Sequence, residues 1–83
     1  MQYDVARLSI RRKLADGRLP RERLSSVGGG PSAGETCHAC DTVLATEQIL
    51  IEGTGLAVGP IQFHVQCFQI WDDERRLHNE HPA

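Results

Sequence analysis

Cys37-His38-Ala39-Cys40 and His64-Val65-Gln66-Cys67 each set two metal-binding side chains two residues apart, with 23 residues between the pairs. Thiolate sulfur and imidazole nitrogen are favoured donors for Zn2+. A two-residue gap lets a tight turn, or the first turn of a helix, aim both donors at one ion about 2.0–2.3 Å away. Three thiolates and one imidazole fill a tetrahedron with protein donors alone. A site closed in this way keeps no position for water or substrate, so it stabilises a fold instead of performing a reaction. The spacing predicts one structural Zn2+ held by Cys37, Cys40, His64 and Cys67. No nucleophile with a matching base stands elsewhere, so no catalytic residues, no enzymatic activity and no small-molecule substrate are expected.

The same residues allow other chemistry, which the surrounding sequence argues against. The chain has three cysteines, and an odd number does not close into disulfides without a leftover thiol. A redox pair of the thioredoxin kind belongs at a helix start in a βαβ unit, a pattern this chain does not show. A c-type haem site needs histidine directly after the second cysteine, where Asp41 stands. Buried cysteines without a ligand remain an alternative, and they would leave a short chain without a staple. His38 could replace a ligand only by distorting the turn, so we expect it behind the ligands or on the surface. His78 and His81 read as exposed tail side chains. Unoxidised thiols suit a reducing compartment. With no leader-like opening and no run near the roughly 20 apolar residues of a membrane span, the expectation is a cytoplasmic protein with no membrane contact.

Several elements must bring the ligands together. Tyr3, Ala6, Ile10 and Leu14 recur at three- and four-residue steps and predict a helix over 3–16, with Arg7 and Arg11 beside the stripe and Gly17 as its stop. Leu19-Pro20 is extended, and Pro20 opens a short helical turn through Leu24, too short for the second helix of a helix-turn-helix reader. Ser25 to Gly34 has no apolar periodicity, and no Walker lysine follows it, so residues 25–36 read as a flexible linker. Gln48 to Glu52 predicts a strand ending at Gly53-Thr54-Gly55. Leu56 to Phe63 adds extended segments with Pro60 at a turn or an edge, giving one or two hairpins over 41–63. From about His64 the pattern is helical, with Cys67, Ile70, Trp71 and Glu74 on one face, Phe68 beside it and Asp72 four before Arg76. Three of the four aromatic residues, Phe63, Phe68 and Trp71, crowd around the second ligand pair, so the core is expected there. Asn79 onward should fray. The organisation is a basic helical arm (1–24), a Gly/Ser/Pro linker (25–36), a zinc-binding module (37–79) and a frayed tail (80–83).

Cys37-x2-Cys40, Ile49 and Ile51 in the hairpin, and Phe63-His64-x2-Cys67-Phe68 together resemble the treble-clef zinc fingers, in particular the poly(ADP-ribose) polymerase-type finger and the first zinc half of a LIM domain. The chain is also similar to small stand-alone bacterial zinc-finger proteins. The resemblance covers residues 37–78 and implies a zinc knuckle and hairpin packed on a helix that carries the last two ligands. No second ligand set follows Cys67 as in a LIM domain, and the loop before His64 lacks the basic residues of a DNA-break finger. The expected fold class is α+β: a small zinc-stabilised domain with an N-terminal amphipathic helix, a Gly-rich linker, a treble-clef-like knuckle, a β-hairpin and a C-terminal helix.

The net charge of −2 is unevenly spread. Residues 1–23 carry seven basic against three acidic side chains, and residues 24–83 carry two against eight. A zinc ion with three thiolates adds about −1 to the acidic part. One functional reading is therefore a nucleic-acid module in which Arg7, Arg11, Arg12, Lys13, Arg18, Arg21 and Arg23 contact phosphates, through the backbone because aromatic residues are too few for base stacking. The bland counterpart is a solvated helix face, or an arm folded back on the acidic part. The second functional reading is a protein-interaction adaptor in which Tyr3, Ile10 and Leu14 pack on a protein partner or on a second copy as a homodimer.

Overall fold

Ala6, Ile10 and Leu14 lie one turn apart and are at most 2 % exposed, and this stripe is what holds α1 (Tyr3–Asp16) to the rest of the chain. Gly17 takes a φ of 80° and Arg18 N donates to Lys13 O at 2.9 Å, so the helix stops in the left-handed turn that glycine accepts without penalty. A computed structural model describes residues 3–80, without the side chains of Tyr3, His78 and Glu80. The expectations for Tyr3 on the apolar stripe, for His78 and His81, and for the tail 80–83 therefore lie outside what is described.

The fold class is α+β. After α1 come β1 (Ser25–Pro31), β2 (Ile49–Gly55), β3 (Gly59–His64) and α2 (Val65–Glu80), and the strands form one antiparallel sheet in the order β1-β2-β3. No described helix is long and apolar enough to cross a membrane.

The linker expectation is corrected at β1. Gly28 pairs with Glu52, Gly29 with Ile51, Gly30 with Leu50 and Pro31 with Ile49, with an irregularity between Ser25 and Gly28 where Ser26 has a φ of 54°. A ladder is made by the main chain, so a segment without apolar periodicity can still be a strand once β2 offers its edge. Residues 20–24 form no helical turn either. They cross the sheet in close contact: a Cβ on Gly55 would stand 2.7 Å from Val58 Cγ2 and 3.3 Å from Pro20 Cγ, and one on Gly53 would stand 3.0 Å from Leu24. Glycine at 53 is thus demanded by the passage of this segment, and glycine at 55 chiefly by Val58 in the turn that follows β2.

β2 and β3 pair Ile51 with Phe63 and Gly53 with Ile61. Phe63 and Ile61 are buried, and Phe63 stacks with Trp71 of α2 at 5.5 Å between ring centroids. Phe68 meets both rings, at 5.9 and 5.6 Å. Pro60 sits on an edge strand, as its missing N–H requires. Trp71 Nε1 donates to Pro20 O at 2.9 Å and Asn79 Nδ2 to Arg21 O at 2.9 Å, so α2 fastens the crossing segment, and Asn79 belongs to the helix instead of a frayed end.

The two helices are clamped by Glu74, whose side chain is 5 % exposed and receives Arg7 Nη1 and Arg11 Nε, the latter at 2.7 Å. Burial pushes the Glu74 carboxyl up, but hydrogen bonds and charge from Arg11 and Arg7 outweigh it and hold the group below the ordinary glutamate value. A carboxyl depressed in the folded state contributes stability that is present above its unfolded value, about 4.3, and is lost as pH falls through the folded value. Urea unfolding should therefore show wild type more stable than Glu74→Gln at pH 7, by a margin that does not widen as the buffer is acidified toward about pH 4.3. A gap that widens in acid would refute the clamp.

Candidate metal centre

The first two candidate ligands sit in a tight knuckle. Thr36 and Val43 form a single antiparallel bridge, Cys37 N donates to Thr42 O at 2.9 Å, and Asp41 N donates to Cys37 O at 2.9 Å. Closing so short a turn puts Asp41 at a φ of 64°, a conformation that short polar side chains tolerate better than other non-glycine residues. The other two ligands come from a strand-to-helix junction. His64 ends β3 and Cys67 lies three residues on, in the first turn of α2, where helical geometry brings such neighbours to one side.

The structure brings all four together. Cys37 Sγ, Cys40 Sγ, Cys67 Sγ and a His64 ring nitrogen lie within 4.8 Å of one another, and this is the only such group among the described residues. Nδ1 of His64 is 3.5 Å from Cys40 Sγ and 3.9 Å from Cys67 Sγ. A tetrahedron with Zn–S near 2.3 Å and Zn–N near 2.0 Å has S···N edges of about 3.5 Å and S···S edges of about 3.8 Å. The cluster could hold a metal ion. Cys37 and Cys67 are fully buried, His64 nearly so, and Cys40 is half-buried.

Thiol electrostatics set Cys37 and Cys67 apart, favouring the thiolate at Cys37 and the thiol at Cys67. The hydrogen bond from Cys67 is the main influence lowering the Cys37 thiol, opposed by burial and helped by the backbone N–H groups of Cys40, His64 and Ala39. Cys67 moves the other way because it shares its proton with Cys37, is buried, and feels the charges of Cys37 and Cys40. A metal ion resolves that competition by taking the place of the shared proton.

The knuckle is gripped from outside by α1. Ser9 Oγ donates to Ala39 O at 3.0 Å, and Lys13 Nζ donates to His38 O at 2.8 Å and pairs with Asp41 at 2.8 Å. Lys13 is 6 % exposed, which corrects its place among phosphate-contacting residues. Its position gave a signal, since it lies three residues after Ile10 on the buried stripe, but a charged side chain reads as solvated. His38 is no ligand. Its N–H donates to Gln62 O at 2.9 Å and its Nδ1 accepts from Gln62 N at 3.2 Å, so it fastens the knuckle to the outer edge of β3. Neither Ser9 nor the ring of His38 was assigned this work by spacing.

The remaining basic residues are dispersed. Arg7 and Arg11 face Glu74, Arg18 pairs with Asp16 at 2.9 Å, and Arg21 Nε donates to Leu14 O at 3.4 Å. Arg12 and Arg23 are exposed and make no ion pair among the described residues. The expected arm is therefore docked on α2 and the knuckle, with Lys13 buried and Arg7 and the more exposed Arg11 paired to the buried Glu74. No family model, no curated protein and no solved structure matches this chain.

Proposed function

We propose that the chain is a non-catalytic protein-interaction module whose fold is stabilised by one Zn2+ bound to Cys37, Cys40, His64 and Cys67. The observation that supports it most is the four-donor cluster, with its spacing close to tetrahedral edges and its two buried thiols. Three sulfurs and one nitrogen select Zn2+ over oxygen-seeking cations. Four protein donors leave no coordination position for a substrate, which supports a structural and not an enzymatic role. The parts follow the order that the treble-clef resemblance implies, a knuckle, a hairpin and a helix, but the helix carries Cys67 alone and not both last ligands, because His64 ends β3. Lys13 lies against the knuckle carbonyl, where its charge offsets the excess negative charge of about −1 on a zinc bound by three thiolates.

A protein partner is favoured over nucleic acid because Arg7, Arg11 and Lys13 are engaged with internal acceptors, but Ile10 and Leu14, expected to face that partner, are buried within the chain and take no part. The test of the zinc reading is metal content together with cobalt substitution. The purified chain should carry one zinc per molecule, and Co2+ should give the intense visible spectrum of a tetrahedral thiolate site that Cys67→Ser removes. A metal-free chain that is folded and gives no such spectrum would overturn the reading.

A further inference from the structure

The sheet has one closed edge and one open edge. On β3, the outer side of Gln62 is taken by His38 N, His38 Nδ1 and Thr36 O. β1 has a neighbour on one side only and is exposed along nearly its whole length. Proteins usually blunt such an edge with charges or bulges. Here Gly28-Gly29-Gly30 presents bare main chain, relieved only by the irregularity before Gly28 and by Pro31 at the end.

Those glycines are not demanded by the fold itself. None of the three has a positive φ. A Cβ on Gly28 or Gly30 would meet nothing within 4 Å, and one on Gly29 would make ordinary contact with Ile51 at 3.5 Å. This contrasts with Gly53 and Gly55, where Leu24 and Val58 respectively leave no room. Glycine lowers the stability of a strand, and its recurrence there marks a place where another backbone comes close.

Beside this edge, between the start of β1 and α2, lies a groove of about 170 Å³. Leu24, Val27, Phe68 and Trp71 supply its apolar wall, Arg23 and Arg75 its cations, and Asp72, paired with Arg75 and Arg76, its carboxylate. Arg75 stacks over Trp71 at 5.2 Å and pairs with Asp72, and its Nε–H makes no hydrogen bond. Arg23 has no ion-pair partner among the described residues.

We infer that β1 and this groove form a docking site for an extended peptide segment of another protein, which adds a fourth strand beside β1. One of its apolar side chains enters the groove beside Val27 and Phe68, and a carboxylate reaches Arg23. A second copy is the poorer occupant, because β1 paired with β1 would bring three glycines to a groove that calls for a side chain. The inference takes from the proposed function only the statement that this is a protein-interaction module.

The test uses the zinc-loaded full chain and two capped, fluorescent octapeptides of alternating valine and threonine with a central phenylalanine. One carries glutamate two residues after the phenylalanine and the other carries lysine there. Anisotropy should show the glutamate peptide binding at least about tenfold more tightly. Arg23→Glu should reverse that preference. Val27→Trp should remain folded by circular dichroism, since Val27 is half exposed, and should weaken binding about tenfold by filling the groove beside Phe68. No binding of either peptide at about 1 mM, unchanged binding by Val27→Trp, or a dimer in sedimentation that Val27→Trp dissociates would each overturn the inference. Metal content measured on the same samples separates the failures: a zinc-loaded chain indifferent to both peptides refutes the docking site alone, and a folded chain without metal refutes the zinc reading alone.

Discussion

Chelation of the metal should unfold this chain, and Cys67→Ser should leave it unfolded from the start. The four donors join three separate pieces, the knuckle at Cys37 and Cys40, the end of β3 at His64, and the first turn of α2 at Cys67. Cys37 and Cys67 belong to the same buried cluster as Leu44, Phe63 and Trp71, so losing the ion loosens the centre of the molecule and not its rim. Structural zinc in comparable small sites is worth roughly 10–16 kcal/mol of apparent binding energy at neutral pH. A folded domain of this length has a total stability of roughly 4–12 kcal/mol. The first quantity meets or exceeds the second, so the metal-free chain should lack a cooperative native state. Helix content by circular dichroism and the emission of Trp71, the single tryptophan, should both collapse on adding a strong zinc chelator and return with excess Zn2+. Native helix content and a cooperative thermal transition persisting with metal below a tenth of an equivalent would sink the prediction.

The donor cluster was legible because a pair of donors is a local signal: two residues between them already specify a turn or a helix start. The helices were legible for a similar reason, through Ala6, Ile10 and Leu14 in one case and Cys67, Ile70 and Trp71 in the other, all of them buried. β1 was not. Its pairing rests on main-chain groups, and Ser-Ser-Val-Gly-Gly-Gly-Pro offers no side-chain pattern from which to read it. The docking of α1 was hidden differently. The partners of Lys13 are the carbonyl of His38 and the carboxylate of Asp41, 25 and 28 positions along the chain, and Glu74 lies 67 positions from Arg7. Periodicity showed that Glu74 shares the inward face of α2. It could not show that two arginines of the basic segment would reach across to make its burial tolerable. The charge asymmetry that suggested an external acidic partner is thus used in large part within the molecule.

Trp71→Ala should be the most damaging substitution outside the metal ligands. Trp71 is 1 % exposed, stacks on Phe63, touches Phe68, carries Arg75 over its ring and donates Nε1 to Pro20 O. It is therefore the joint between the sheet, α2 and the segment that leads from α1 into β1. Removing a buried aromatic side chain costs about 3–5 kcal/mol, because the cavity closes only in part. With a urea dependence near 1 kcal/mol per molar for a chain of this size, the unfolding midpoint of zinc-saturated protein should fall by about 3–5 M. Trp71→Phe separates the two contributions. It keeps most of the ring and loses only the hydrogen bond, leaving Pro20 O without its donor at a cost of about 1–3 kcal/mol. None of the four donors is altered in either variant, so the cobalt spectrum should survive wherever the fold does. A midpoint shift under about 1 M for Trp71→Ala would mean that the aromatic cluster is peripheral and that the metal alone organises the chain.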